Sequence, residues 1–138
     1  MQPGHTFPPL VKEPVTQMQL VRYAGASGDF NPVHTVEAVG RAAGFGGPIA
    51  HGMLVMGFAA QAVASWVPLR SVRRLQVRFV DVTRPGDALT VEGTVTGRRA
   101  EAGEDRITAE LVIRDQEGRV KAKGSFEAAL PVQASRGA

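Results

Sequence analysis

Four runs in the second half of the chain alternate apolar and polar residues, the period of a strand with one face buried and the other wet. Leu75, Val77 and Phe79 alternate with Gln76 and Arg78, and Leu89, Val91 and Val95 alternate with Thr90, Glu92, Thr94 and Thr96. Ile107, Ala109, Leu111 and Ile113 alternate with Thr108, Glu110 and Arg114, and Val120, Ala122, Phe126 and Ala128 with Lys121, Lys123, Ser125 and Glu127. Turn chemistry separates the runs at Pro85-Gly86-Asp87 and at residues 115–118, while residues 101–106, with Gly103 inside, read as a polar hairpin loop. The first half has a different rhythm. A short strand is expected over residues 10–15, and then Thr16 followed by Gln19 has the spacing of a capping box. Leu20, Tyr23 and Ala24 supply one apolar helical face, which Gly25 and Gly28 end.

Residues 29–48 mix turn residues with a short Ala-rich stretch and predict a long structured loop carrying about one or two helical turns. Residues 50–67 are apolar on nearly every side, which for a helix means burial all round. Met53, Met56, Phe58 and Trp66 read as core of this helix. Something must wrap it, and the alternating strands are the only candidate. The pattern therefore predicts an α+β domain, a curved antiparallel sheet wrapped around one long buried helix, which is the hot-dog arrangement. One domain is expected over residues 1–138, with a loose tail over the last six.

Composition narrows the function classes. There is no cysteine, which rules out a disulfide framework, a zinc-thiolate site and a thiol nucleophile. The 16 Lys+Arg against 13 Asp+Glu leave an excess of only three, and aromatics at 6% offer few stacking platforms, so nucleic acid is not an expected partner. The start of the chain lacks a basic segment followed by an apolar run, so a cytoplasmic location is expected. Residues 49–67 approach membrane-spanning length but contain His51, Gly52, Gly57, Gln61 and Ser65 and are closed by Pro68, so no membrane span is expected.

Candidate chemistry concentrates in Gly28-Asp29-Phe30-Asn31-Pro32-Val33-His34. The spacing of Asp29 and His34 is wrong for one helix face, but a bent loop can aim both side chains into one cleft. Pro32 and Asn31 favour a rigid bend between them. Three histidines without a His-x-x-x-His or cysteine spacing make no metal site. Arg70, Arg73, Arg74 and Arg78 form a basic cluster that suits either a phosphorylated ligand, an acidic carrier protein or plain solvation.

This string resembles the signature of the MaoC-like hydratases, which include (R)-specific enoyl-CoA hydratases and 3-hydroxyacyl-thioester dehydratases. The resemblance runs without a gap through residues 28–34 and continues in Ile49-Ala50-His51-Gly52-Met53. It implies that Asp29 and His34 hold one water and share acid and base work, adding it across a trans-2-enoyl thioester to give the (R)-3-hydroxyacyl thioester. It also implies that the Gly52 N–H donates to the thioester oxygen, and that Asn31 and Met53 contact substrate. No cofactor is implied, coenzyme A or acyl carrier protein thioesters being the substrate. The expected partner is an identical chain or a related hot-dog subunit. His51 is expected to fix the loop before the helix by a hydrogen bond. Ala26, Val36 and Ala60 depart from the family pattern; Ala60 removes a supporting hydroxyl that some hydratases carry. The alternatives within the fold are a thioesterase and a non-catalytic or acyl-binding partner subunit of a heteromeric dehydratase.

Overall fold

The computed structural model describes residues 1–131, so the predicted loose tail lies outside the described residues. The element order is β1 (Leu10–Val11), α1 (Gln17–Ser27), α2 (Glu37–Ala42), α3 (Gly52–Trp66), β2 (Val72–Phe79), β3 (Thr90–Glu101), β4 (Glu104–Arg114) and β5 (Val120–Ala129). Short 3-10 turns precede α2 and β2, at Pro32–His34 and Leu69–Ser71. All strands pair antiparallel in one sheet of order β1-β3-β4-β5-β2.

The predicted alternation fills the core. Leu89, Val91, Val95, Ile107, Ala109, Leu111, Ile113, Ala122, Phe126 and Ala128 present one buried sheet face to Leu54, Val55, Phe58, Ala59, Ala62 and Val63 of α3. Each large side chain so buried stabilises the fold by about 1.5–3 kcal/mol relative to exposure. At the far end of α3, Trp66 stacks on Phe7 with centroids 4.8 Å apart and donates its indole N–H to the Pro8 carbonyl at 2.7 Å. Gly93 makes room for that ring, because a Cβ there would stand 2.5 Å from the Trp66 ring edge.

Five expectations need correction. The strand expected over residues 10–15 shrinks to Leu10–Val11, because Pro8, Pro9 and Pro14 lack the donor a ladder requires. The segment still tracks β3 through single bonds, Phe7 N–H to Gly93 O at 3.0 Å and Lys12 N–H to Leu89 O at 2.8 Å. The polar loop of residues 101–106 is instead paired strand, Arg99 opposite Arg106 and Ala100 opposite Asp105. Only Ala102 and Gly103 turn, both at positive φ (52° and 72°), which suits a tight two-residue hairpin. The α3 helix is not buried all round, since Gly52, Met53, Gly57, Gln61, Ala64 and Ser65 are exposed along one side. One five-stranded sheet cannot close around the whole circumference. Phe79, expected inward, is 45% exposed at the end of β2.

Lys121 is the fifth correction. Alternation assigned it to the wet face, yet it is 2% exposed. Its ammonium donates to the Val82 carbonyl at 2.9 Å and to Asp81 Oδ2 at 3.3 Å, with Asp87 and Asp115 carboxylates each at 3.7 Å. A register shift between β4 and β5 at Ile113/Arg114 accompanies this inward turn, and the residue 80–87 loop covers it. A buried cation survives only with such pairing.

Two outcomes follow from this packing. A Cβ at Gly124 would run into the Gln76 carbonyl of the neighbouring strand β2, so Gly124→Ala should cost about 1–3 kcal/mol or more and lower the thermal unfolding midpoint; an unchanged midpoint would contradict the register. The Val82 N–H and the Lys121 ammonium hold the Asp81 carboxyl below its ordinary range. Burial pushes the Asp115 carboxyl up, but Arg119 and the Arg119 and Glu117 amides outweigh it and hold it low. Because both folded values lie below the unfolded ones, their stabilisation is present above the ordinary carboxylate range and lost as pH falls through the folded values. The midpoint should therefore be flat with respect to these groups above about pH 5 and fall below about pH 4. Thermal scans across that range check it.

Candidate active site

Local turn chemistry builds the loop that carries Asp29 and His34. Gly28 ends α1 in the left-handed region (φ 76°), where its N–H caps the Ala24 carbonyl. The Asn31 N–H then donates to Asp29 Oδ1 at 3.2 Å, and the Val33 N–H donates to Asn31 Oδ1 at 3.1 Å. Pro32 opens the 3-10 turn that ends on His34. Successive side-chain turns thus set the bend that the sequence predicted.

His34 is 8% exposed, and its Nδ1 lies 2.8 Å from the Ile49 carbonyl. A carbonyl only accepts, so Nδ1 carries the proton and Nε2 of the neutral ring is an open lone pair. That nitrogen stands 3.7 Å from Asp29 Oδ2. The gap is too long for a direct hydrogen bond, and it lets one water oxygen lie within reach of both groups. The Asp29 side chain is 53% exposed, so the pair is open to solvent from its carboxylate side.

His51 braces this arrangement. Its ring stacks on His34 with centroids 3.7 Å apart and planes 20° apart, and the Tyr23 ring meets it edge-on at 4.7 Å. Its Nε2 donates to the Asp29 carbonyl at 3.1 Å, the loop-fixing bond expected of it. His51 also occupies the N-cap position of α3 in extended backbone, which leaves Gly52 as the first helical residue. The Gly52 N–H has no backbone acceptor among the described residues, as befits a first-turn amide, and it carries the positive end of the helix dipole.

A cavity of about 180 Å³ lies beside these groups, walled by His34, Gly52, Ile49, Val55, Phe79 and Thr83 among others. Of the sequence-predicted residues, Asp29 and His34 meet, and His34 and Gly52 border the cavity. Asn31 is exposed with its carbonyl oxygen committed to the turn, and Met53 is 59% exposed and does not line the cavity. Phe79, Thr83 and Lys121 belong to the wall without any sequence signal for it, since each arrives from a distant strand or loop.

Asp29, His34 and His51 bring ligand-type atoms within 4.8 Å of one another. Stacked nearly parallel, the two rings aim their lone pairs along parallel planes rather than at one point, which is not the arrangement of a tetrahedral ligand set. The basic cluster also disperses: Arg73 forks onto Glu104 with bonds of 2.7 and 3.0 Å, and Arg74 donates to Gln76. Among the described residues, no helix is long and apolar enough to cross a membrane.

An antiparallel sheet curled against one long helix, with an acid and an imidazole beside the helix's opening amide, defines a hot-dog protein with its site at the start of the central helix. The MaoC like domain matches residues 1–116, and the chain belongs to that family. It is 36% identical over 76 residues to the peroxisomal enoyl-CoA hydratase 2 of Arabidopsis thaliana, a match covering 53% of this chain and 25% of that protein. The chain thus spans about a quarter of the length of this curated relative. The (R)-hydratase from A. caviae involved in PHA biosynthesis superposes with a TM-score of 0.82 at 25% identity, over 95% of this chain and 98% of that one. The ChsH1-ChsH2 complex from Mycobacterium tuberculosis shares the fold, with a TM-score of 0.79 at 21% identity over 94% of this chain and 98% of that chain.

Proposed function

We propose that this chain is a hydro-lyase that reversibly adds water to trans-2-enoyl thioesters of coenzyme A or acyl carrier protein, giving (R)-3-hydroxyacyl thioesters. The observation that carries the reading is the 3.7 Å gap between His34 Nε2 and Asp29 Oδ2, beside a cavity that the opening residue of α3 also borders. The near full-length likeness to a hydratase structure supports it.

In the hydration direction, a water held between Asp29 and His34 attacks C3 of the enoyl group. Its proton passes to the pair, and C2 receives a proton from the same pair, so atoms and charge balance over the cycle. Negative charge builds on the thioester oxygen meanwhile, and the Gly52 N–H with the α3 dipole stabilises it. The thioester carbonyl already polarises the double bond, so the step calls on no redox group and no metal. (R)-configuration and the choice of carrier rest on the family resemblance.

A second copy, or a related hot-dog subunit, is the proposed partner. Among the described residues, strand β2 is an edge of the sheet with no strand on its outer side, and the exposed side of α3 offers Gly57 and Ala64 where another surface can approach closely. Sedimentation at micromolar concentration should give a dimer mass; a monomer at all concentrations would contradict this part of the proposal.

Loss of absorbance at the enoyl-thioester band with crotonyl-CoA tests the reaction. Asp29→Asn and His34→Ala should each lose about 10²–10⁴-fold in kcat with the folded circular-dichroism spectrum of the parent, His34→Ala also lowering the unfolding midpoint because it gives up the Ile49 bond and the His51 stack. Gly52→Pro removes the amide at a helix position that tolerates proline, following a His51 backbone already extended, and should fall about 10²–10³-fold below Gly52→Ala, which keeps the N–H. Free coenzyme A without hydroxyacyl product would favour the thioesterase. Silence with every thioester would favour a non-catalytic subunit.

A further inference from the structure

One buried titratable side chain beside the reacting pair takes no part in the water addition described above. His51 is 1% exposed, and with the proton on Nε2 its Nδ1 is a bare acceptor, buried and without a hydrogen-bond partner among the described residues. Native proteins seldom bury a polar atom in that state, and such an atom calls for an explanation other than stability. What the ring supplies is contact with both members of the pair. Its face covers the His34 ring at 3.7 Å between centroids, and its Nε2 donates to the Asp29 backbone carbonyl at 3.1 Å. Among the described residues, no other side chain bonds to or stacks on both.

The bonds of Asp29 show what that contact controls. Its N–H donates to Ser27 Oγ at 3.1 Å and its Oδ1 accepts the Asn31 N–H at 3.2 Å, both partners lying beside it in the same loop. Such bonds shape the loop, and they travel with it. The His51 bond comes from 22 residues away and registers the acid against another element, at the residue immediately before the Gly52 amide that opens α3. His34 is registered on the same segment through the Ile49 carbonyl at 2.8 Å. With its other polar atoms engaged, Asp29 keeps Oδ2 for the 3.7 Å gap to His34 Nε2. The width of that gap depends on two long-range bonds, and His51 supplies the one on the acid's side.

We propose that His51 is a positioning residue for hydration, whose Nε2–H, bonded to the Asp29 carbonyl, sets the separation of acid, imidazole and opening amide at which one water bridges the pair. This assignment rests on the hydration reading above. The bond carries the role rather than the stack, because the stack holds only the His34 ring, which the Ile49 carbonyl already fixes. Misplacing a reacting group by about 1 Å costs about a hundredfold in rate. His51 stays out of the cavity wall, so its loss leaves substrate binding as it was.

The test measures kcat and KM for crotonyl-CoA, well below the unfolding midpoints, in the parent, His51→Gln, His51→Asn and His51→Phe. Glutamine carries an amide nitrogen to about the place of Nε2, asparagine reaches only as far as Nδ1, and phenylalanine keeps a ring to stack but no donor. Glutamine and asparagine both give up the ring, so their midpoints should fall together. Only kcat should part them. His51→Gln should stay within about threefold of the parent, and His51→Asn and His51→Phe should fall about ten- to a hundredfold, with KM within about threefold throughout. If the larger phenylalanine ring unfolds the site, the glutamine and asparagine variants decide the matter between them. Equal kcat in those two, a rise in KM in place of a fall in kcat, or a folded His51→Phe with the parent's kcat would overturn the assignment of His51 and leave the hydration reading standing. No turnover by the parent would overturn both.

Discussion

His34 can act as a base only while its Nδ1 proton is held elsewhere, and the Ile49 carbonyl holds it from 2.8 Å away. That bond fixes the tautomer, the ring plane and the direction of Nε2 at once. It also ties the loop after α1 to the segment that opens α3, so that the imidazole and the Gly52 amide are positioned by the same four residues. Within that segment each backbone group has a separate task. The Ile49 carbonyl orients the His34 ring, the Ala50 N–H anchors the residue 80–87 loop at Thr83, and the Gly52 N–H has no backbone acceptor among the described residues.

Rigidity around this segment comes from packing. The ring of His51 lies between His34 and Tyr23, and its Nε2 holds the Asp29 backbone carbonyl, so movement of the His34 ring or of the Asp29 backbone would break a stack or a bond. The long excursion between His34 and Ile49 is closed by a tight return. A Cβ at Gly40 would collide with the Gly47 carbonyl, and the Ile49 N–H then reaches the Val33 carbonyl at 3.2 Å. On the opposite wall, Lys121 draws Asp81, Asp87 and Asp115 together from two loops. The covering loop is thereby tied to β5 by charge and to the segment that opens α3 by the Ala50–Thr83 bond.

Much of this was legible in the sequence because it is written in local patterns. Period-two runs located β2 to β5, the capping box located α1, and the Asp29 to His34 spacing with Asn31 and Pro32 between them pointed to a bent loop. Most of the misses depend on partners that the local pattern does not show, whereas the short β1 follows from prolines already in the sequence. Lys121 obeys the alternation of a wet position, and only three carboxylates arriving from elsewhere make its burial tolerable. The exposed side of α3 gathers the small and polar residues Gly52, Gly57, Gln61, Ala64 and Ser65 at helical spacing, a stripe that a reading of the segment as apolar overall passes over. Residues 101–106 read as loop because both faces of that hairpin end are polar, and cross-strand ion pairs such as Arg98 with Asp105 replace the apolar signal. Thr83 had no signal at all, since its place in the cavity depends on a backbone bond to Ala50.

The destination of one water oxygen distinguishes hydration of the double bond from hydrolysis of the thioester. Incubating the protein with crotonyl-CoA in ¹⁸O-water and reading intact thioester and free acid by mass spectrometry separates the outcomes in one measurement. Water held by Asp29 and His34 against an enoyl group predicts the label on the 3-hydroxyl of an intact thioester, with no coenzyme A released. Label in a free carboxylate, with coenzyme A released in equal amount, would contradict it.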